Sequence, residues 1–187
     1  MNDINKFRKN LLSYNKPYKV QFGSGNKPLK NWINSDSNGP FKWIISGDPL
    51  PFKDNSCTLI YHEHLLEHLP VPIALNFLRE SYRILKPGGI LRIAQPDLDD
   101  IVEAAYKGTF KKYPSAKNMT KAELLNMAFN GWGHKHLYNA EELTSFLVKG
   151  GFEESKIKYC KFGESTTPEL RNLETRQESL LLGEATK

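Results

Sequence analysis

The residues best equipped for chemistry fall into short clusters. Gly23-Ser24-Gly25 follows Phe22, Asp36 closes a β-rich run, and Gly47-Asp48, His62-Glu63-His64 and Gln95-Pro96-Asp97 each follow another. Glycine lets a ligand approach the backbone, and a carboxylate accepts paired hydrogen bonds from a diol or one from an amino group. Singly, each cluster is as readily a turn or a cap; jointly, at the ends of successive strands, they suit one nucleoside-bearing ligand. Two histidine groups add to them. His64-Leu65-Leu66-Glu67-His68 has the H-x-x-E-H spacing of one class of zinc proteases. That pattern needs a helical metal site and a further acidic ligand. Glu67 and His68 are therefore read as structural, hydrogen-bonding this loop to neighbouring turns, and no metal is expected. His134-Lys135-His136 follows Gly131-Trp132-Gly133. Alternate residues of an extended stretch point the same way, so both imidazoles are expected to face one cavity as base, substrate contacts or metal ligands, with a cap or core hydrogen bond the equal alternative. A neutral imidazole is suited to take a proton near neutral pH, which makes His134, His136 and His64 the candidate bases. Asp97, Asp99 and Asp100 read as a helix start whose dipole they satisfy.

For these clusters to meet, successive strands must deliver them to one edge of a sheet. Residues 18–22 alternate as a strand and run into the glycine turn; residues 32–36 and 41–45 are β-rich runs separated by Asn38-Gly39-Pro40. Residues 56–61 and 90–94, the latter launched by Pro87-Gly88-Gly89, supply two more. Between them Ala74, Phe77, Leu78, Ile84 and Leu85 recur at helical spacing after Pro72, which makes a βαβ unit. Ile4, Phe7, Leu11 and Leu12 predict an N-terminal helix, and Asn139 with Glu142 predicts a capped helix ending at Gly150-Gly151. Residues 156–162 and 178–184 are the closing strand candidates. The expectation is an α/β fold, a mostly parallel sheet covered on both faces with an antiparallel C-terminal edge strand. Ligands then bind beyond the carboxyl ends of the strands, where strand order reverses.

The chain has 187 residues, 39% hydrophobic and 25% charged, which suits one globular domain and argues against disordered, collagen-like or coiled-coil chains. We expect a single domain over residues 1–187, with a helical segment at 1–18 and a substrate-side cap at 98–138 carrying Tyr106, Phe110, Tyr113, Phe129 and Trp132. No apolar run approaches the length of a membrane span, and residues 1–18 lack the apolar core of a secretory signal. A cytoplasmic protein with Cys57 and Cys160 reduced is the expectation. The net charge of +5 is dispersed, and its local concentrations at 107–117 and 156–161 read as solvated basic faces, so nucleic acid is an unlikely partner.

A nicotinamide-binding turn wants G-x-G-x-x-G with an acid about 20 residues on. Here Pro28 takes the third glycine position, Asp36 comes much sooner, and the Lys-Ser/Thr of a P-loop is missing. A glycine turn with little basic character followed by several acids suits a cationic, phosphate-free ligand such as S-adenosylmethionine. FGSG, LPFKDNS (50–56), HLLEHL (64–69), LKPGG (85–89) and RIAQPDLD (92–99) occur in the order that the small stand-alone class I S-adenosylmethionine-dependent methyltransferases show, and from Val20 onward the chain resembles that family. GWGHKHLYNAEEL (131–143) and PELRNLE (168–174) resemble a narrower group of short members. The resemblance implies a Rossmann-like fold, S-adenosylmethionine as cofactor and S-adenosylhomocysteine as product. It places Phe22, Gly23, Ser24 and Gly25 at the methionine part, Asp36 at the ribose, Asp48 near the adenine, and His62 and Glu63 on the sulfonium side. The chain departs from the family where residues 26–31 replace the usual first crossover helix, and where the Asp48 loop is short. A small-molecule or glycan acceptor is the expectation. A nucleic-acid methyltransferase, whose Asp/Asn-Pro-Pro-aromatic motif is replaced here by His62-Glu63-His64-Leu65, and a cofactor-binding scaffold without activity are the alternatives. The oligomeric state is left open.

Overall fold

A computed structural model describes residues 2–39, 41–112 and 116–187. Seven strands, β1 (Tyr18–Phe22), β2 (Ile33–Asp36), β3 (Phe41–Lys42), β4 (Cys57–Glu63), β5 (Leu85–Gln95), β6 (Ile157–Tyr159) and β7 (Leu181–Thr186), form one sheet in the order β3-β2-β1-β4-β5-β7-β6. β1 to β5 pair in parallel, and β7 runs antiparallel between β5 and the short edge strand β6. Five α-helices accompany them: α1 (Ile4–Leu11), α2 (Val71–Ile84), α3 (Leu98–Lys107), α4 (Lys121–Asn130) and α5 (Ala140–Lys149).

One face of the sheet is covered by helices. Ala74, Phe77 and Leu78 of α2 and Leu143, Phe146 and Leu147 of α5 close over Val20, Phe22, Ile60, Leu91 and Ile93. Phe7 of α1 sets its ring edgewise against Phe41, Trp43 and Phe52. Of the stripe expected on α1, Phe7 and Leu11 are buried, while Leu12, just past the last turn, is exposed. β3 is shorter than the run 41–45 because the Asn2 side chain takes the place of a strand partner, bonding both the carbonyl and the N–H of Ile44.

The opposite face is covered by irregular chain. Leu29 and Trp32, from the β1–β2 connection, and Leu170 and Leu173 pack on Leu59, Tyr61, Ala94 and Leu182. The shortened first crossover has side chains where a helix would supply backbone bonds: the N–H of Leu29 donates to Gln21 and Asn34, and the amides of those residues return bonds to Lys27, Leu29 and Trp32. On this face Arg92 is fully buried against Glu174 and Glu184. A buried charge persists only when paired, and the PELRNLE segment supplies one of its partners. Arg83 ties the LPFKDNS segment to α2 in a similar way, bonding Leu50 and Phe52 carbonyls together with Asp54 and Glu80.

Cys57, buried, and Cys160 are not joined by a disulfide. Among the described residues no helix is long and apolar enough to cross a membrane.

Candidate active site

Strand order reverses between β1 and β4, which run side by side while their chains leave toward opposite sides of the sheet. The glycine turn sits there. Gly23 (φ +67°) and Gly25 (φ +49°) both occupy the left-handed region that glycine enters freely. A Cβ on Gly25 would meet nothing within 4 Å, so the turn leaves open space for a ligand; one on Gly23 would come 3.3 Å from Leu65. The N–H groups of Gly23 and Ser24 both donate to the Ser35 carbonyl, which fastens the turn to β2. Asp36 ends β2 and binds the same turn, one oxygen accepting from the Gly25 N–H at 2.8 Å and the other from the N–H and hydroxyl of Ser37. Burial opposes its charge, but the donors of Gly25, Ser37 and Asn38 prevail and hold the carboxyl below the usual range. Asp48 accepts from the Ser46 hydroxyl, in a loop that Asn76 of α2 anchors through the Gly47 carbonyl.

Phe22, His62 and Glu63 lie at this edge, but their side chains turn away from the crevice. Strand alternation sends Phe22 and His62 to the α2 face: Phe22 meets Phe52 and Phe77, and His62 lies fully buried, edge-on to Phe77 at 5.5 Å. Burial lowers the pKa of His62 to about 4, and neither ring nitrogen finds a partner among the described residues. Glu63 points to the other face, where its carboxylate accepts from the N–H and hydroxyl of Thr175, the N–H of Arg176 and the hydroxyl of Ser179.

A cavity of about 560 Å³ opens beyond β4 and β5. Its apolar wall includes Ile101, Leu124, Ala128, Trp132 and Leu180, and its polar groups include His64, His68, His134, Asp97, Asp100 and Arg176. The size and mixed lining suit a small organic molecule. α3 and α4 pack on one another through Ala104, Ala105, Leu124 and the neighbouring Phe110, and flank the cavity from the segment expected to cap it. Within that segment Trp132 reaches the cavity, Phe110 is buried and Tyr106 is exposed, while Tyr113 lies outside the described residues. Asp97 caps α3 by accepting from the Asp99 N–H, the helix-start role expected of it. Burial raises its carboxyl, and the charges of Asp99 and Asp100 push the same way.

The three candidate bases separate. His134 lines the cavity with Nδ1 2.8 Å from the Ala128 carbonyl, so Nδ1 carries the proton and Nε2 keeps the lone pair. Burial lowers its pKa, outweighing the carbonyl contact that favours the charged form. His136 is absent from the cavity lining; it lies over Phe146, with Nε2 2.9 Å from a Glu142 oxygen. The alternation expected of this pair fails because residues 131–134 turn, with positive φ at Trp132 and Gly133 and the His134 N–H returning to the Gly131 carbonyl. His64 lines the cavity, but Nε2 is 3.1 Å from Ser179 Oγ and Nδ1 3.2 Å from Glu67 Oε1. Ser179 gives its hydroxyl proton to Glu63 and so accepts from His64.

The H-x-x-E-H turn and the GWGHKH segment are joined here: the Glu67 carbonyl accepts from the N–H groups of Lys135 and His136. Arg176, Ser179 and Leu180 are the site residues the sequence concealed. Ser179 and Leu180 sit where residues 178–184 read as strand, whereas β7 begins only at Leu181.

Residues 34–93, which hold β2 to β5 almost entire, match a family model described as a methyltransferase domain. No curated protein sequence matches the chain. Among solved structures, it resembles a SAM-dependent methyltransferase from Thermotoga maritima, described as a possible histamine N-methyltransferase. That likeness has a TM-score of 0.56 and 20% identity, covering 98% of this chain and 89% of the other. A SAM-dependent methyltransferase from Archaeoglobus fulgidus aligns with a TM-score of 0.52 and 17% identity over 98% of this chain and 92% of its own. PigF with SAH aligns with a TM-score of 0.53 and 19% identity over 98% and 54%. The strand order and the placement of the glycine turn at the reversal of strand order give the chain the fold of these methyltransferases, and residues 34–93 carry the matched methyltransferase-domain segment.

Proposed function

We propose that the chain transfers a methyl group from S-adenosylmethionine to a small-molecule or glycan acceptor held in the cavity beyond β4 and β5. The observation that carries this reading is the adjacency of two differently built sites at one sheet edge. One is a glycine turn with an ionised Asp36 and open space over Gly25; the other is a partly apolar cavity with His134 in its wall.

The first fits the cofactor. The backbone of Gly23, Ser24 and Gly25 borders its methionine part, Asp36 has lone pairs left for the ribose diol, and Asp48 stands for the adenine end. Phe22 and His62 contribute only backbone and support from below, and Glu63 acts through the 175–179 segment it holds. When bound, the sulfonium supplies an electrophilic methyl group, and in-line displacement by a positioned nucleophile needs no covalent enzyme intermediate. The protein's task is then to hold the acceptor and receive its proton. His134 suits that task, with Nδ1 fixed on a carbonyl and Nε2 bare. Its lowered pKa keeps it neutral at pH 7.

The test begins with a screen of metabolites and sugar precursors for acceptor-dependent formation of S-adenosylhomocysteine. On the acceptor found, His134→Ala should lower kcat by roughly 10² to 10⁴-fold with little change in cofactor affinity, and His136→Ala should keep most of the rate. Because the base must be neutral, the rate of the metal-free wild-type protein should rise with pH on the acid side and level off below the ordinary imidazole pKa, because burial lowers that of His134. Full turnover in His134→Ala overturns the assignment.

A further inference from the structure

Glu67 is an anomaly in this wall. Its side chain is 1% exposed, and its carboxylate meets only loosely placed donors among the described residues, His64 Nδ1 at 3.2 Å and its own N–H. Burial opposes its charge, but these donors and the nearby imidazoles hold the carboxyl below its ordinary range. Its neighbours are imidazoles: His64 Nδ1 at 3.2 Å and His68 Nε2 at 4.0 Å from the same oxygen. The rings of His68 and His134 lie 5.0 Å apart. One ligating atom from each of Glu67, His68 and His134 falls within 4.8 Å of the others. A carboxylate taken out of water without well-placed donors is unfavourable unless a cation stands beside it.

We propose that Glu67, His68 and His134 form a site for a divalent transition metal of the zinc class, with a free coordination position toward the cavity. Two imidazoles and a carboxylate are a ligand set of open zinc sites. The groups behind the ligands are also in place. The Ala128 carbonyl fixes His134 with Nε2 bare, as ligating histidines require of their second nitrogen. Lys135 and His136 hold the main chain of Glu67, and His64 stands against its carboxylate, itself steadied by Ser179. Ligands about 2.1 Å from a tetrahedral ion lie about 3.4 Å apart, so atoms already within 4.8 Å of one another must draw together by up to about 1.4 Å to hold one. His68 and His134 line the cavity, which leaves the remaining position facing the acceptor side. The H-x-x-E-H spacing supplies two of the three ligands; His134 arrives from 66 residues further on, through the Lys135 and His136 bonds. An ion bound here takes the lone pair that makes His134 a base in the metal-free protein.

The test uses the whole chain, stripped with a chelator and titrated with Zn²⁺ by calorimetry and with Co²⁺ by visible absorption. One equivalent of each should bind, Co²⁺ giving the intense bands of a four- or five-coordinate site, and the melting temperature should rise. His68→Ala and Glu67→Gln should each weaken binding by at least about tenfold, whereas His136→Ala should bind as wild type does. Because Glu67 is buried and its replacement can cost folding, the half-exposed His68 is the deciding position. Absence of saturable Zn²⁺ and Co²⁺ binding, or wild-type affinity in His68→Ala, overturns the site. S-adenosylhomocysteine affinity, measured on the same samples, should be the same in wild type and His68→Ala. Its absence throughout, with Zn²⁺ still bound, would remove the methyltransferase reading and leave the metal site standing.

Discussion

In the proposed reading Asp36 serves both the fold and the ligand with one carboxylate. Its two oxygens hold the Gly25 N–H and the Ser37 donors, yet a carboxylate offers about four lone-pair directions, so a diol can join without displacing them. Asp36→Asn keeps the size and removes the charge, at the cost of turning its amide nitrogen toward one of the two donor sets the carboxylate accepts. Calorimetry should then show S-adenosylhomocysteine binding weakened on the order of ten- to a hundredfold, the value of a charge-assisted hydrogen bond, with the fold retained. Unchanged affinity in the folded variant would sink the ribose assignment. Gly23 is a poorer probe, because a side chain there strains a φ of +67° and presses on Leu65 before any ligand is involved. The turn and Asp36 were legible in the sequence because each depends on residue type at a strand end. The facing of Phe22 and His62 was not, since alternation gives two faces and only the packed sheet shows that theirs is the α2 side.

At the scale of elements, the segment from 174 to 180 has almost no regular structure of its own, yet it supports both halves of the site. Glu174 neutralises Arg92, Ser179 receives His64, and Arg176 and Leu180 line the cavity. Glu63 is its anchor, and an amide cannot accept the same set of donors that a carboxylate does. Glu63→Gln should therefore speed amide exchange across residues 175–180 while leaving β4 and α2 protected, and cost about 1 to 3 kcal/mol of stability. Equal protection of that segment in both proteins would show that Glu63 is not its anchor. These long-range ties also mark where the sequence falls silent. LPFKDNS and PELRNLE stand out as motifs, but nothing local shows that the first is held by Arg83 or that Glu174 of the second meets Arg92, 82 residues away. α1, α2, α5 and β1, β2 and β4 were readable from periodicity and turn residues; α3 showed only its acidic start, and α4, within the expected cap, was not expected as a helix. The irregular cover of the second face was not, because its apolar residues, Leu29, Trp32, Leu170 and Leu173, follow no period.

Across the whole molecule, the sheet order puts the crevice proposed for the cofactor between two differently supported halves. On one side β1, β2 and β3 rest on α1 and on the side-chain bonds of a helix-free crossover; on the other, β4 and β5 are held between α2, α5 and the antiparallel β7. A ligand spanning the strand ends from Asp36 to His64 bridges the two, so its binding opposes opening of the less heavily braced half as well as global unfolding. A ligand selective for the folded state adds RT ln(1 + [L]/Kd), about 2.7 kcal/mol at a hundredfold excess over Kd. For a chain of this size each kcal/mol moves the midpoint by about 2 to 4 °C, so saturating S-adenosylhomocysteine should raise Tm by about 5 to 10 °C. Nicotinamide dinucleotides should give no shift, because the turn lacks the third glycine and the helix N-terminus that would receive a pyrophosphate. Equal shifts from both ligand classes would mean a site reading only adenosine, and no shift from either would mean that the glycine turn and Asp36 are structural alone.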